Sequence, residues 1–498
     1  MGLNFIILII LPLVTAFLIP LVDIIHQKIR KILVVTSITI ELIISLILFI
    51  GNYSTMLNST LSIIYNMGGW ASNLGIALHL DSLGLFFSTL VSLIMFLIII
   101  YSIGFIGHHE GKYYVLIFLL MAAMHGAVLT GDIFNLYVFI ELITITSAAL
   151  VSFRRNREAA EAAFKYLLYG VIGGLFFLIG VFLIYYNLGT LNMAIIADNF
   201  AQINSMMQGT IIVFFMTSIL IKLGVFPMHF WRPKAYSTSP DPISALLSGI
   251  LVKVYICLFI RLFWQISDFV FLNISSLRYF IFYLSLVSST TGHLLAFRED
   301  DIKRMLAFSS IGHIGLILAA FILNTASGFY GGLLHVISHL VMKTTLFIIV
   351  GYLLQYTESR HIADFNGVAY KNHWVFGSFI VAALAMVGIP PLPGFFSKYY
   401  IIKAFVESGH YLAGLLVLFL SIISLFYYLR YIFRAYNLLD YERGLKPRKV
   451  GLVLSVFYRE RIVTGIAYVF TILLVFSGIF YTAFTPTLRA IIEDLMGR

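Results

Sequence analysis

The segment GDIFNLYVFIELITITSAALVSF, Gly131 to Phe153, poses the central problem of this chain. Beyond Asp132 it carries one charged residue, Glu141, near the middle of an otherwise apolar run. A helix needs about 20 apolar residues to cross a hydrocarbon core about 30 Å thick. Runs of that length recur down almost the whole sequence, separated by short polar breaks. Of the 498 residues, 61% are hydrophobic and 11% charged, and the mean hydropathy is +0.99, which excludes a soluble globular protein. The period-two alternation of a membrane barrel is absent, so helices are the structure that satisfies the backbone in lipid. The reading is an all-α polytopic membrane protein.

Fourteen spans are expected, near residues 3–22, 32–51, 81–104, 113–130, 133–153, 163–187, 208–228, 243–263, 277–297, 303–323, 329–355, 374–400, 411–436 and 463–485. Met1 to Val22 has no basic start and no small-residue cleavage site, and reads as the first span rather than a signal peptide. Connections after odd-numbered spans hold Lys28, Arg30 and Lys31; Arg154, Arg155 and Arg157; Arg232 and Lys234; Arg298, Lys303 and Arg304; and a basic stretch from Arg443 to Arg461. The 27 residues from Asn52 to Leu78 carry no charge, and Asn187 to Gln208 holds only Asp198. Positive loops face the cytoplasm, which places both termini outside. The net charge of +10 is thereby used for topology, and no basic stripe with aromatics on a solvated face suggests nucleic acid. The single cysteine, Cys257, lies in an apolar run and offers neither a disulfide framework nor a thiolate cluster.

Proline interrupts two spans: Pro227 in the seventh, and Pro390, Pro391 and Pro393 in the twelfth. Proline removes a backbone donor and clashes with the preceding turn, so both helices should be broken within the membrane. Two breaks five spans apart fit a pair of inverted five-helix repeats, spans 4–8 and 9–13. The expected division is 1–112 for the first three spans, 113–263 and 264–436 for the repeats, and 437–498 for the basic loop and last span.

Lys222, Lys253, Lys343 and Lys398 lie inside expected spans, as does Glu141, while Arg261 and Arg430 fall nearer helix ends. Each such charge costs about 2.5 to 3.5 kcal/mol at a helix centre, so these residues should face protein or water and carry function. Glu41 in the second span is a further buried acid without a visible partner. Burial lowers a lysine's proton affinity and raises a carboxylate's, and bringing the two together favours both charged forms. A Glu141–Lys222 pair that opens and closes would be a switch on proton affinity. His335, His339 and Lys343 recur at i, i+4 and i+8, a stripe about 12 Å long on one helix face, suited to relaying protons. Axial haem ligation fits worse, because two histidines one turn apart cannot clasp both faces of one macrocycle. HxxxH also lacks the intervening glutamate of a zinc-protease helix.

Seven ordered motifs bring a family into view: LDSLGLFF (80–87), GDIFNLYVFIELI (131–143), KLGVFPMHFWRPKAY (222–236), PISALLSGILVKVYICLFIR (242–261), DIKRMLAFSSIGHIG (301–315), HVISHLVMKTTLF (335–347) and GIPPLPGFFSKYY (388–400). Over spans 3 to 13 the chain resembles the antiporter-like subunits shared by Mrp-type Na⁺/H⁺ antiporters, respiratory complex I and membrane-bound hydrogenases. Lysine after the GIPPLPGFF break resembles the D-type subunit of Mrp antiporters. The resemblance implies fourteen helices, two inverted repeats, a Glu141–Lys222 pair, and a polar chain through Lys253, His335, His339, Lys343 and Lys398. Two departures stand out: RPKAY replaces the usual LPDAY, adding Arg232 and Lys234, and Tyr255 replaces a small residue after Lys253.

The expected function is a proton-translocating subunit of a larger complex in a prokaryotic cytoplasmic membrane, coupled to Na⁺ exchange or to a redox module. Other membrane subunits are the expected partners, and neither a cofactor nor a metal is expected on this chain. The rivals are a stand-alone cation/proton transporter and a structural subunit whose buried charges lock packing.

Overall fold

The computed structural model describes residues 2–58, 61–71, 75–103, 105–106, 109–266, 274–357, 359–370, 373–437 and 454–496. Among the described residues, thirteen helices are long and apolar enough to cross a membrane, and they match the first eleven, the thirteenth and the fourteenth expected spans. The twelfth is split into His373–Val387 and Pro393–Glu407, each too short to cross alone. The chain is therefore a multi-pass membrane protein. The eighth, tenth and eleventh spans, Asp241–Ile266, Ile302–Ile322 and Ala326–Thr357, are buried on every face. A helix apolar all round is a core helix, so the lysines and histidines on these three lie in protein rather than in lipid. The first, second, sixth and thirteenth spans, Phe5–Ile25, Gln27–Asn58, Arg157–Leu188 and Tyr411–Tyr436, leave most of their surface open at the periphery.

Connections after odd-numbered spans meet at one end of the bundle through ion pairs. Asp241 accepts from Arg154 at 3.3 Å and from Lys303 at 2.6 Å, while Arg360 reaches Asp301 at 3.3 Å and Glu158 at 3.2 Å. Four separate loops are thus stitched together. The expected basic stretch from Arg443 to Arg461 falls largely outside the described residues.

Two elements differ from expectation. The uncharged segment 52–78 is not simply a loop: the second helix continues to Asn58, and Ser62–Asn66 pairs antiparallel with Ala77–Asp81. Five-residue strands carry too little pattern to stand out beside helices of twenty or more. After the last span, a further helix, Thr485–Met496, packs across the second, third and eleventh spans. It is tied to the eleventh by a 2.8 Å hydrogen bond between the Tyr330 and Thr485 hydroxyls.

The hairpin ends at Asp81, which caps the third helix, Ser82–Ser102, by accepting from the Gly84 N–H at 2.7 Å. Asp81 is fully buried and also accepts from Arg261 at 3.0 Å and Gln265 at 2.8 Å, while Arg261 donates to the Val128 carbonyl at 3.0 Å. Burial alone would push the Asp81 carboxyl up. Arg261, His79, the Gly84 N–H and Gln265 outweigh that and hold it below the usual carboxylate range. This pair fastens the eighth span to the third and fourth. Arg261→Met leaves a buried carboxylate without its counter-charge, a loss of about 3 to 5 kcal/mol. The expected outcome is a lower melting temperature of the purified protein, partly restored by adding Asp81→Asn.

Candidate functional site

The seventh helix, Ser205–Leu223, stops where GVFP makes continuation impossible, and Gly224 takes the left-handed conformation, φ +56°. Lys222 therefore sits in the last turn before the break. The carbonyls freed there are satisfied from the far side: Trp231 Nε1 donates to Ile221 O at 3.2 Å, and Arg232 donates to Leu223 O. The twelfth span repeats the device. Its first half ends at Val387 with Gly388 at φ +95°, and Lys398 on the second half donates to the Met386 and Val387 carbonyls, both at 2.9 Å, and to Ser421 Oγ at 2.9 Å. Each interrupted helix has its open end capped by a side chain from beyond its own break.

Lys222 reaches the fifth helix, Ile133–Val151. Its Nζ lies 3.2 Å from Glu141 Oε1 and donates to Thr144 Oγ1 at 2.6 Å. Glu141 and Thr144 are three residues apart and share a face, so one ammonium spans both. Lys222 is buried, whereas the Glu141 side chain is 20% exposed at the bundle's edge. Its helix also turns Val138 and Ile145 outward there.

Lys253 follows a π-helical turn, Leu247–Leu251, the kind of irregularity that recurs at functional positions. Its Nζ donates to Ser248 O at 2.6 Å and contacts His339 Nδ1 at 2.8 Å. His335 Nε2 lies 2.9 Å from His313 Nδ1, and His335 Nδ1 lies 2.8 Å from Ser397 Oγ, beside Lys398. The His313 ring is 5.0 Å from that of His293, whose Nδ1 lies 3.3 Å from the Tyr427 hydroxyl. Tyr427 donates to Ser309 Oγ at 3.1 Å, and Lys343 donates to Ser309 Oγ and Leu306 O, both at 2.9 Å. All of these groups are buried.

His335, His339 and Lys343 share a face as their spacing requires, yet His335 bonds to the tenth and twelfth spans, His339 to the eighth and Lys343 to the tenth. The polar chain crosses the bundle from the eighth to the tenth and twelfth spans and does not simply run down the eleventh. Tyr255, two residues after Lys253, turns its buried hydroxyl toward Thr144, the residue to which Lys222 donates. Sequence reading missed Thr144, His293, Ser309, His313, Ser397 and Tyr427. His293 and His313 were open to the test applied to the lysines, a titratable residue inside an apolar span, whereas the hydroxyls carry no such signal. Glu41, expected to lack a partner, faces His125 of the fourth helix, Glu110–Leu129, at 3.5 Å.

Fold and site together describe a polytopic helical bundle with two interrupted spans and a buried chain of lysines and histidines. A family profile described as NADH:quinone oxidoreductase/Mrp antiporter, TM, matches residues 130–424, and the chain belongs to this family. It is 32% identical over 380 residues to the N-type subunit of an NADH-quinone oxidoreductase of Desulforudis audaxviator, covering 75% of each chain. It is 28% identical over 425 residues to the D-type subunit of an Na(+)/H(+) antiporter of Alkalihalophilus pseudofirmus, covering 84% of this chain and 85% of that one. Among solved structures, a chain of the membrane-bound sulfane sulfur reductase, an archaeal respiratory membrane complex, superposes with a TM-score of 0.89 at 29% identity, covering 99% of this chain and 98% of the other.

At the twelfth-span break, a methyl group on Gly394 would overlap the Ala385 carbonyl oxygen, a backbone atom that cannot swing aside. Gly394→Ala is expected to separate the two half-helices and lower thermal stability in a melting assay. Gly377→Ala, with no atom within 4 Å of the added carbon, is expected to leave it unchanged.

Proposed function

We propose that this chain is a proton-translocating component of a multisubunit membrane complex, similar to the D-type subunit of Mrp antiporters. The observation that carries the reading is the Lys222–Glu141 contact at 3.2 Å, an ion pair at the lip of a broken helix. While it is closed, the carboxylate favours the charged ammonium. Opening it withdraws that charge, and the proton is released toward Lys253. From there the proposed path runs through His339, His335, His313 and His293 to Lys398, with Lys343 held alongside through Ser309 and Tyr427. Histidines suit the middle of such a path because each ring can accept at one nitrogen and donate at the other.

Two further observations support the reading. A cleft of about 520 Å³ at the end where the odd loops meet is lined by His229, Lys234, Arg304 and Arg360, and reaches the break after Lys222. This cleft is the proposed route by which cytoplasmic water approaches the pair, with the basic loops inside and both termini outside. The edge position of Glu141, with Val138 and Ile145 pointing outward, favours a subunit over a stand-alone transporter. A carboxylate facing acyl chains is costly, and a neighbouring membrane subunit would cover it. The names borne by the relatives, both of them subunits, fit that assignment. The capped breaks five spans apart are consistent with inverted repeats over 113–263 and 264–436 in a prokaryotic cytoplasmic membrane.

Glu141→Gln keeps the shape and removes the charge, so coupled ion transport in vesicles should vanish while the complex assembles. Failure of assembly with normal residual transport would instead favour a packing role. Lys222→Met should give the same loss, and unchanged transport in it would overturn the paired switch. Gly174→Ala tests position alone, because its methyl would collide with Glu141 Oε1. A transport rate lowered about tenfold, equivalent to about 1.4 kcal/mol, is expected.

A further inference from the structure

A second acid–base pair lies apart from this chain of groups, between the second and fourth spans, before the matched family region. Glu41 on the second span is 1% exposed, and His125 on the fourth is fully buried. Glu41 Oε1 is 3.5 Å from His125 Nε2, which also lies 3.4 Å from Ser92 Oγ on the third span. Neither Glu41 oxygen makes a hydrogen bond, nor do His125 Nδ1 and Ser45 Oγ, one turn along the same helix face from Glu41. Four polar atoms idle at one buried place are an exception to the rule that interiors satisfy such groups.

We infer that Glu41 and His125 form a second proton-binding site, off the central chain, holding one proton as a neutral carboxyl–imidazole pair with the hydrogen on Glu41. With no proton the site carries a bare carboxylate in apolar surroundings, and with two it carries a bare imidazolium. Either is far costlier there than one shared proton, and the neutral pair also avoids separating charge. Imidazole is a poor ligand for hard cations, which take oxygen, so the proton is the occupant that fits.

The charged groups around the pair are few. Among the described residues, the buried polar side chain of the first span is Thr15 and those of the third are Ser82, Ser88, Ser92 and Ser102, none of them charged. Arg30 pairs with Asp23 and Glu110 where the first, second and fourth spans end at the odd-numbered loops, and Lys31 joins Glu110 there. Asp81 and Arg261 lie toward the opposite end, where Arg261 holds the Val128 carbonyl, about one turn past His125. The terminal helix packed on the second and third spans brings Arg489, Glu493 and Asp494. This site does not depend on the proposed transport path.

Infrared titration of the complete complex in lipid vesicles tests the inference. At neutral pH the wild type should show a protonated-carboxyl band that Glu41→Gln removes. Identical spectra in that region for both would overturn the site. Where Glu41→Gln fails to assemble, His125→Gln decides: the midpoint at which the Glu41 band disappears should move by at least one pH unit, about a tenfold change in proton affinity. A midpoint unchanged by the loss of the imidazole would overturn the pairing.

Discussion

Every backbone polar group inside a membrane bundle must find its partner within the protein, and this constraint shapes the structure around the two broken helices. A break frees carbonyls that water would satisfy in a soluble protein. Here Trp231 and Arg232 take those of the seventh span, and Lys398 takes those of the twelfth. The same breaks leave Lys222 at an open helix end and put Lys398 across a gap in its own span. Lys222 and Lys398, two of the four lysines proposed to move protons, are thus held by the interruptions that make their helices irregular.

The two lysines are nevertheless held differently. Lys222 has a carboxylate, Glu141, for a partner. Lys398 has only neutral oxygens, and Lys253 and Lys343 likewise bond to carbonyls, a hydroxyl and an imidazole. One ion pair at the edge and neutral acceptors inside make an asymmetric chain. In the proposed path, control falls at the Glu141 end, which is also the end that a neighbouring subunit would cover. Arg232 lies buried beside the break with no carboxylate partner among the described residues, supported by the faces of Trp231 and Tyr236.

Much of the fold was legible because the signals are long. Apolar runs of twenty residues, basic loops at alternate joints and prolines inside spans each have one physical reading in lipid. The short hairpin was not legible, since SIIYN and ALHLD are too brief to show a period against their surroundings. The terminal helix was missed because its amphipathic face becomes meaningful only once the second, third and eleventh spans supply a surface for it.

Sequence alone marks the residues that are out of place in a membrane. Glu141, four lysines and the histidine stripe are costly wherever the chain folds, so their number and type point to charge movement. Which of them meet is a matter of helix packing. Glu141 and Lys222 are 81 positions apart, Lys253 and His339 are 86 apart, and Glu41 finds in His125 a partner from another helix. Side-chain pairing across helices depends on rotation and tilt, which follow from the packing of all spans together. No window of sequence contains that information.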